Sequence, residues 1–222
     1  MNTIKIVFNR SLPIIGGDIE LREGDNWAWG CLGQTSPEAK EVELAKWLDE
    51  IICFKYADID FARERCHSHL VRRILEDAPI VGRHKRVLVD IKMHNLRPGF
   101  YPCKPGFHLD GSSNHKGVDK QPELHHLFVA SVSSRTEFLD DPAMVELDPS
   151  WDFATRSRKI GVILDEMNPP TFTIPNCRFV TYDDTYFHRC VQVKTNEKRL
   201  LVRVTETDVI DPRNHPYEPE SY

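Results

Sequence analysis

The stretch Lys198-Arg-Leu-Leu-Val-Arg-Val-Thr205 alternates in a way that decides the fold. On a β-strand successive side chains leave opposite faces, so Arg199, Leu201 and Arg203 share one face while Leu200, Val202 and Val204 share the other. The pattern makes sense if the apolar row packs on helices and the arginines face the interior of a barrel. A buried guanidinium needs an anionic partner there. Arg suits that task because its planar fork makes two parallel charge-assisted hydrogen bonds to one carboxylate.

Moving back along the chain, His188-Arg-Cys-Val-Gln-Val193 reads as a strand that follows the turn-like Tyr182-Asp-Asp-Thr185. Further back lies Lys104-Pro-Gly-Phe-His-Leu-Asp-Gly111. In an extended segment His108 and Asp110 leave the same face and Phe107 and Leu109 the other, so one imidazole and one carboxylate converge. His188, 188 − 110 = 78 residues beyond the aspartate, completes a candidate triad of two histidines and one carboxylate. Such a facial triad leaves three neighbouring positions of an octahedral Fe(II) open.

The rest of the chain fits an α+β domain. Ser36-Pro37-Glu38 is a helix start, with Leu44, Trp47, Leu48, Ile51 and Ile52 at helical spacing after it. A second amphipathic segment runs from about Asp58 to Glu76. From Arg86 onward short strands are expected at 87–93, 106–110, 124–132, 172–180, 188–193 and 199–205, with a helix within 148–165 and one more strand at 3–8. Gly16 to Gly33 reads as an irregular loop. Helices first and many short strands later predict a β-barrel or sandwich covered on one face by N-terminal helices. The expected domain spans 1–209, with the helical cover mainly at 36–80 and the β-core mainly at 86–209. A Pro-rich tail, 210–222, has three prolines in its last twelve residues and reads as extended or mobile.

Composition bounds the function. A net charge of −5 gives no global attraction to nucleic acid or to an anionic membrane. No apolar run approaches the roughly 18 to 20 residues of a membrane span, and the start lacks a basic region followed by a long apolar one, so a cytoplasmic protein is expected. Six cysteines without paired spacing argue against a disulfide framework or a Cys-x-x-Cys zinc site. Cys66-His-Ser-His69 places only Cys66 and His69 on one helical face, with no second ligand pair, and reads as structural. His125 and His126, as neighbours on a strand, point to opposite sides and do not share a metal. Trp27 and Trp29 are candidates for a lid, and Asn95 and Tyr101 for the pocket wall.

With these residues placed, the chain resembles the Fe(II)- and 2-oxoglutarate-dependent oxygenases, whose pattern is His-x-Asp, a distant His, and an Arg ten or eleven residues later. Here that offset is 199 − 188 = 11. Leu96-Arg-Pro-Gly-Phe-Tyr101 looks like the Pro-Gly turn that often precedes the motif, and the spaced pattern covers roughly residues 86 to 209. The resemblance implies a double-stranded β-helix, or jelly roll. It implies Fe(II) held by His108, Asp110 and His188, with 2-oxoglutarate chelating the iron through its 1-carboxylate and 2-keto oxygens. Arg199 would bind the 5-carboxylate, and O₂ the remaining iron position.

In the taurine dioxygenase-like branch a Thr near the position of Thr136, here 136 − 110 = 26 residues after the aspartate, contacts the same 5-carboxylate. A second Arg at the position of Arg203 contacts substrate or the 1-carboxylate. The implied activity is a dioxygenase that hydroxylates a small molecule or an amino-acid or peptide side chain, releasing succinate and CO₂. Two other readings remain open. A cupin-like metal protein acting without 2-oxoglutarate would have no use for an interior Arg199, and it lacks its signature of two closely spaced histidines and a glutamate. A non-catalytic barrel for a small ligand need not bind iron.

Overall fold

The computed structural model describes residues 4–7, 14–18, 51–110, 122–140, 144–148, 150–151, 153–184 and 186–222. The strands are β1 (Ile4–Val7), β2 (Ile14–Asp18), β3 (Phe54–Asp58), β4 (Arg86–Leu96), β5 (Leu124–Ala130), β6 (Thr136–Leu139), β7 (Met144–Leu147), β8 (Thr171–Thr173), β9 (Arg178–Asp183), β10 (His188–Cys190) and β11 (Glu197–Thr207). The helices are α1 (Ile59–Arg65), α2 (His69–Glu76) and α3 (Phe153–Met167). They form a mixed α/β fold with antiparallel sheets. The larger sheet has six strands in the order β2-β9-β5-β11-β4-β3, the smaller has the order β10-β6-β8, and β1 pairs with β7.

Strand β11 sits inside the large sheet, pairing along its whole length with β4 and over Leu200–Glu206 with β5. Its alternation is realised as the sequence predicts. Leu200, Val202 and Val204 join a core with Val89, Ile91, Phe128 and Phe179 beneath Val71, Ile74 and Leu75 of α2. Leu201 points the other way, into a second core with Leu127, Val129, Val180 and Tyr182 of the large sheet and Phe138 of the small one. The rings of Phe138 and Tyr182 meet edge-on with centroids 4.8 Å apart, so the two sheets face each other across this layer.

The helical cover differs from the expectation of one face. Helices α1 and α2 lie on the large sheet, whereas α3 covers the opposite side of the molecule, burying Ile160 and Leu164 against Phe107, Leu139, Val145 and Phe187. The small sheet has an apolar outer face too, and that face needs a layer of its own. The segment expected as one helix from Asp58 to Glu76 is two. Cys66 takes an extended conformation, and Ser68 caps a new helix by accepting from Val71 N at 3.4 Å. Cys66 and His69 therefore do not share a helix. Of the helix expected from Ser36, 36–50 lie outside the described residues, 51–53 are irregular, and 54–58 form β3.

Other boundaries moved for local reasons. The strand expected at 172–180 is split into β8 and β9 around Pro175, which has no N–H for the ladder, and Cys177, whose φ is +60°. The strand expected at 106–110 is reduced to one bridge between His108 and His188, following Pro105 and Gly106 at φ +95°. Part of the loop expected at 16–33 is strand β2. The tail is extended and held: Arg213 N donates to Tyr56 O at 2.7 Å, Tyr217 N to Cys53 O at 2.9 Å, and Tyr222 pairs with Tyr101 through both main-chain groups. Among the described residues, no helix is long and apolar enough to cross a membrane.

Candidate metal centre

The turn at Pro105-Gly106 brings the chain onto the edge of β10. There His108 N donates to His188 O at 2.9 Å, and His188 N returns the bond to His108 O at 3.1 Å. This reciprocal pair sets the imidazoles side by side, with ring centroids 4.5 Å apart. Each Nδ1 lies near the carbonyl two residues earlier, Gly106 O at 3.0 Å for His108 and Tyr186 O at 3.1 Å for His188. A carbonyl only accepts, so both Nδ1 atoms carry the hydrogen. That leaves Nε2 as the ligand nitrogen of each ring, and His188 Nε2 lies 3.1 Å from Asp110 Oδ2. One ligand atom from each of His108, Asp110 and His188 lies within 4.8 Å of the others.

The two imidazoles are shifted in opposite directions. Burial disfavours protonated His188, but Asp110, with Oδ2 3.1 Å from Nε2, outweighs it and raises the imidazole above its ordinary value. His108 is lowered to about 4 by burial and by His188. Asp110 is held well below the carboxylate range despite its burial, because Arg203 and His188 stabilise the anion. Its Oδ1 pairs with Arg203 and its Oδ2 accepts from the Tyr182 hydroxyl. The donor set, one carboxylate and two imidazoles, fits a divalent transition metal with open positions.

The cavity beside the triad encloses about 50 Å³, several times what one water requires, and its wall includes Lys92, Cys103, Thr136, Cys190, Arg199 and Arg203. Arg199 is 2% exposed. Its Nε donates to Ser134 O at 2.8 Å, and its Nη2 lies 3.5 Å from Thr136 Oγ1. Glu197 organises this corner by accepting from the main-chain N of Ser133 at 2.7 Å and of Ser134 at 3.1 Å. Among the described residues no carboxylate forms an ion pair with Arg199. A wider cavity of about 470 Å³ lies against α3 on the far side of the 103–108 segment, and Cys103 and His108 border both.

The six residues assigned from the sequence to metal and cosubstrate, His108, Asp110, Thr136, His188, Arg199 and Arg203, border this one cavity. Arg203 differs from its expected place at a ligand, because its two terminal nitrogens go to Asp90 and Asp110. Asn95 is exposed and does not border the cavity, and Tyr101 is occupied in pairing with Tyr222. Trp27 and Trp29 lie outside the described residues. His125 and His126 do point apart: the His125 ring meets Tyr182 at a tilt with centroids 5.1 Å apart, while His126 Nε2 lies 3.0 Å from buried Glu206.

Sequence reasoning missed Asp90, Lys92, Tyr182 and the two cysteines of the wall. A signal existed for Asp90 and Lys92, which with His94 alternate polar with apolar along β4 in phase with the arginines of β11. Compared with models of known protein families and with curated protein sequences, the chain matches none of them.

Proposed function

We propose that this protein is an Fe(II)- and 2-oxoglutarate-dependent dioxygenase on a double-stranded β-helix. The winding supports the fold reading. Apart from β7, which pairs with β1, the chain runs through β4, the His108 bridge, β5, β6, β8, β9, β10 and β11 in the large, small, large, small, small, large, small and large sheets, an order compatible with a jelly roll. The observation that carries the activity is Arg199, a buried guanidinium without a carboxylate partner among the described residues, in the same cavity as a two-histidine, one-carboxylate triad.

In this reading His108, Asp110 and His188 hold Fe(II), while Arg199 and Thr136 bind the 5-carboxylate of 2-oxoglutarate. The bound metal and cosubstrate supply activation of O₂, with succinate and CO₂ as products beside a hydroxylated small molecule or amino-acid or peptide side chain. The chain's own contribution is placement. Tyr182 and Arg203 orient the Asp110 carboxylate, and the two Nδ1–H bonds fix the imidazoles. A metal barrel that works without 2-oxoglutarate leaves the burial of Arg199 unexplained.

The test is spectroscopic. Purified protein under anaerobic conditions, given Fe(II) and 2-oxoglutarate, is expected to develop the weak visible charge-transfer band of the chelate. Folded wild-type protein without that band overturns the proposal.

A further inference from the structure

The inward row of β4 consists of Asp90, Lys92 and His94, in register with Arg203, Leu201 and Arg199 of β11. Asp90 accepts from Tyr56 N at 2.8 Å and pairs with Arg203, whereas His94 is buried beside Arg199 with neither ring nitrogen hydrogen-bonded among the described residues. Lys92 borders the cavity, and among the described residues it makes no hydrogen bond or ion pair. The nearby carboxylates Asp90 and Asp110 are both taken by Arg203. Lys92 is half-buried, and among the described residues its ammonium is hydrogen-bonded to no anion, a partner that an anionic ligand in the cavity would supply.

We infer that Lys92 is the second carboxylate anchor of the cavity and pairs with the 1-carboxylate of 2-oxoglutarate while Arg199 holds the 5-carboxylate. The inference rests on the proposed function and adds what recognises the other end of the cosubstrate. Register supports it. Lys92 stands one pleat repeat, about 6.8 Å, from the His94–Arg199 row, and one repeat from the Asp90–Arg203 row that adjoins the metal ligand Asp110. That spacing matches a five-carbon dicarboxylate lying between Arg199 and the triad. The position that resemblance gave to Arg203 falls to Lys92 because the guanidinium of Arg203 is already committed to two aspartates. Lys92 is thus a positioning residue for the cosubstrate.

The experiment is anaerobic calorimetric titration of the Fe(II)-loaded full chain with 2-oxoglutarate, for wild type, Lys92→Met and Lys92→Arg. Loss of one charged hydrogen bond predicts affinity weakened about ten- to hundred-fold in Lys92→Met, with Fe(II) affinity within two-fold of wild type. Lys92→Arg restores most of the loss. In the double variant with Arg199→Met the two losses multiply, as for anchors at opposite ends. Should Lys92→Met not fold, Lys92→Gln is read instead.

Lys92→Met binding 2-oxoglutarate within two-fold of wild type overturns this inference alone and points Lys92 at the primary substrate. Losses that fail to multiply overturn the assignment to opposite ends. Wild type that takes Fe(II) but not 2-oxoglutarate overturns the parent reading and this one together.

Discussion

The guanidinium of Arg199 on β11 meets the hydroxyl of Thr136 on β6 3.5 Å away, across the space between the two sheets. Both side chains are buried, at 2% and 4% exposed, and both border the cavity of the triad. Strand pairing places them independently, since Thr136 lies opposite Cys190 on the small sheet and Arg199 opposite His94 on the large one. A ligand reaching both would bridge the sheets.

Arg199→Ala is therefore expected to weaken 2-oxoglutarate binding about ten- to hundred-fold, and Thr136→Val about two- to ten-fold, with Fe(II) binding preserved in each. Titration of the metal-loaded variants checks both. Unchanged cosubstrate affinity in Arg199→Ala means that the guanidinium serves the fold alone.

How much of this was legible beforehand follows from the range of each signal. The alternation of Arg199 to Val204 and the same-face pair His108 and Asp110 are local, and strand geometry turns them directly into orientation. The pairing of His108 with His188 bridges 80 residues, and only the spacing of chemically suitable residues hinted at it. Tyr182 was read as the opening of a turn because its partner Asp110 is 72 residues away. The break between α1 and α2 was hidden for a different reason: the apolar period runs on through Cys66, Val71 and Ile74, while the cap that restarts the helix is the single hydroxyl of Ser68. The phase of β4 turns Asn95 outward and its neighbour His94 inward.

Gly161 on α3 sits where a Cβ would come 2.3 Å from the carbonyl oxygen of Phe107. That carbonyl belongs to backbone one residue before His108, so neither side yields easily. Gly161→Ala is expected to destabilise the protein by about 1–3 kcal/mol and to weaken metal binding by shifting the segment that carries His108. Urea unfolding and metal titration measure the two effects. An alanine variant as stable as wild type would show that α3 moves freely over the small sheet.

Two buried histidines outside the triad contribute to the pH dependence of stability. Burial, aided by Arg199, pushes His94 down to about 3. Burial also pushes His125 to about 3, with Arg203 and His188 reinforcing it against the opposing pull of Asp110. In the unfolded chain both titrate near 6.5. Below that value the unfolded state binds protons that the folded state refuses, so this stability is complete above pH 6.5 and is lost as pH falls toward 3. Each group contributes a slope of up to about 1.4 kcal/mol per pH unit. Urea midpoints between pH 7.5 and 5 are expected to fall accordingly, and His125→Gln to flatten the decline. A flat wild-type profile would mean that these imidazoles accept protons in the fold.

Tyr182→Phe separates holding Asp110 from packing around it. The Tyr182 ring contacts Phe138 at 4.8 Å, His125 at 5.1 Å and His188 at 5.4 Å, and phenylalanine keeps all three. What is lost is the hydroxyl that donates to Asp110 Oδ2. Burial and Asp110 push Tyr182 well above its ordinary value, so it stays a neutral donor across the working range. A carboxylate oxygen has lone pairs for both a hydroxyl and a cation, so in the proposed site the tyrosine would aim the oxygen at a metal without competing with it. Removing such a support costs metal affinity about 10- to 100-fold, while stability changes by no more than about 1.5 kcal/mol. Metal titration and urea unfolding of Tyr182→Phe read the two quantities separately. Tighter metal binding in the variant would mean that the hydroxyl occupies the lone pair the ion needs, and would reverse the role assigned to Tyr182.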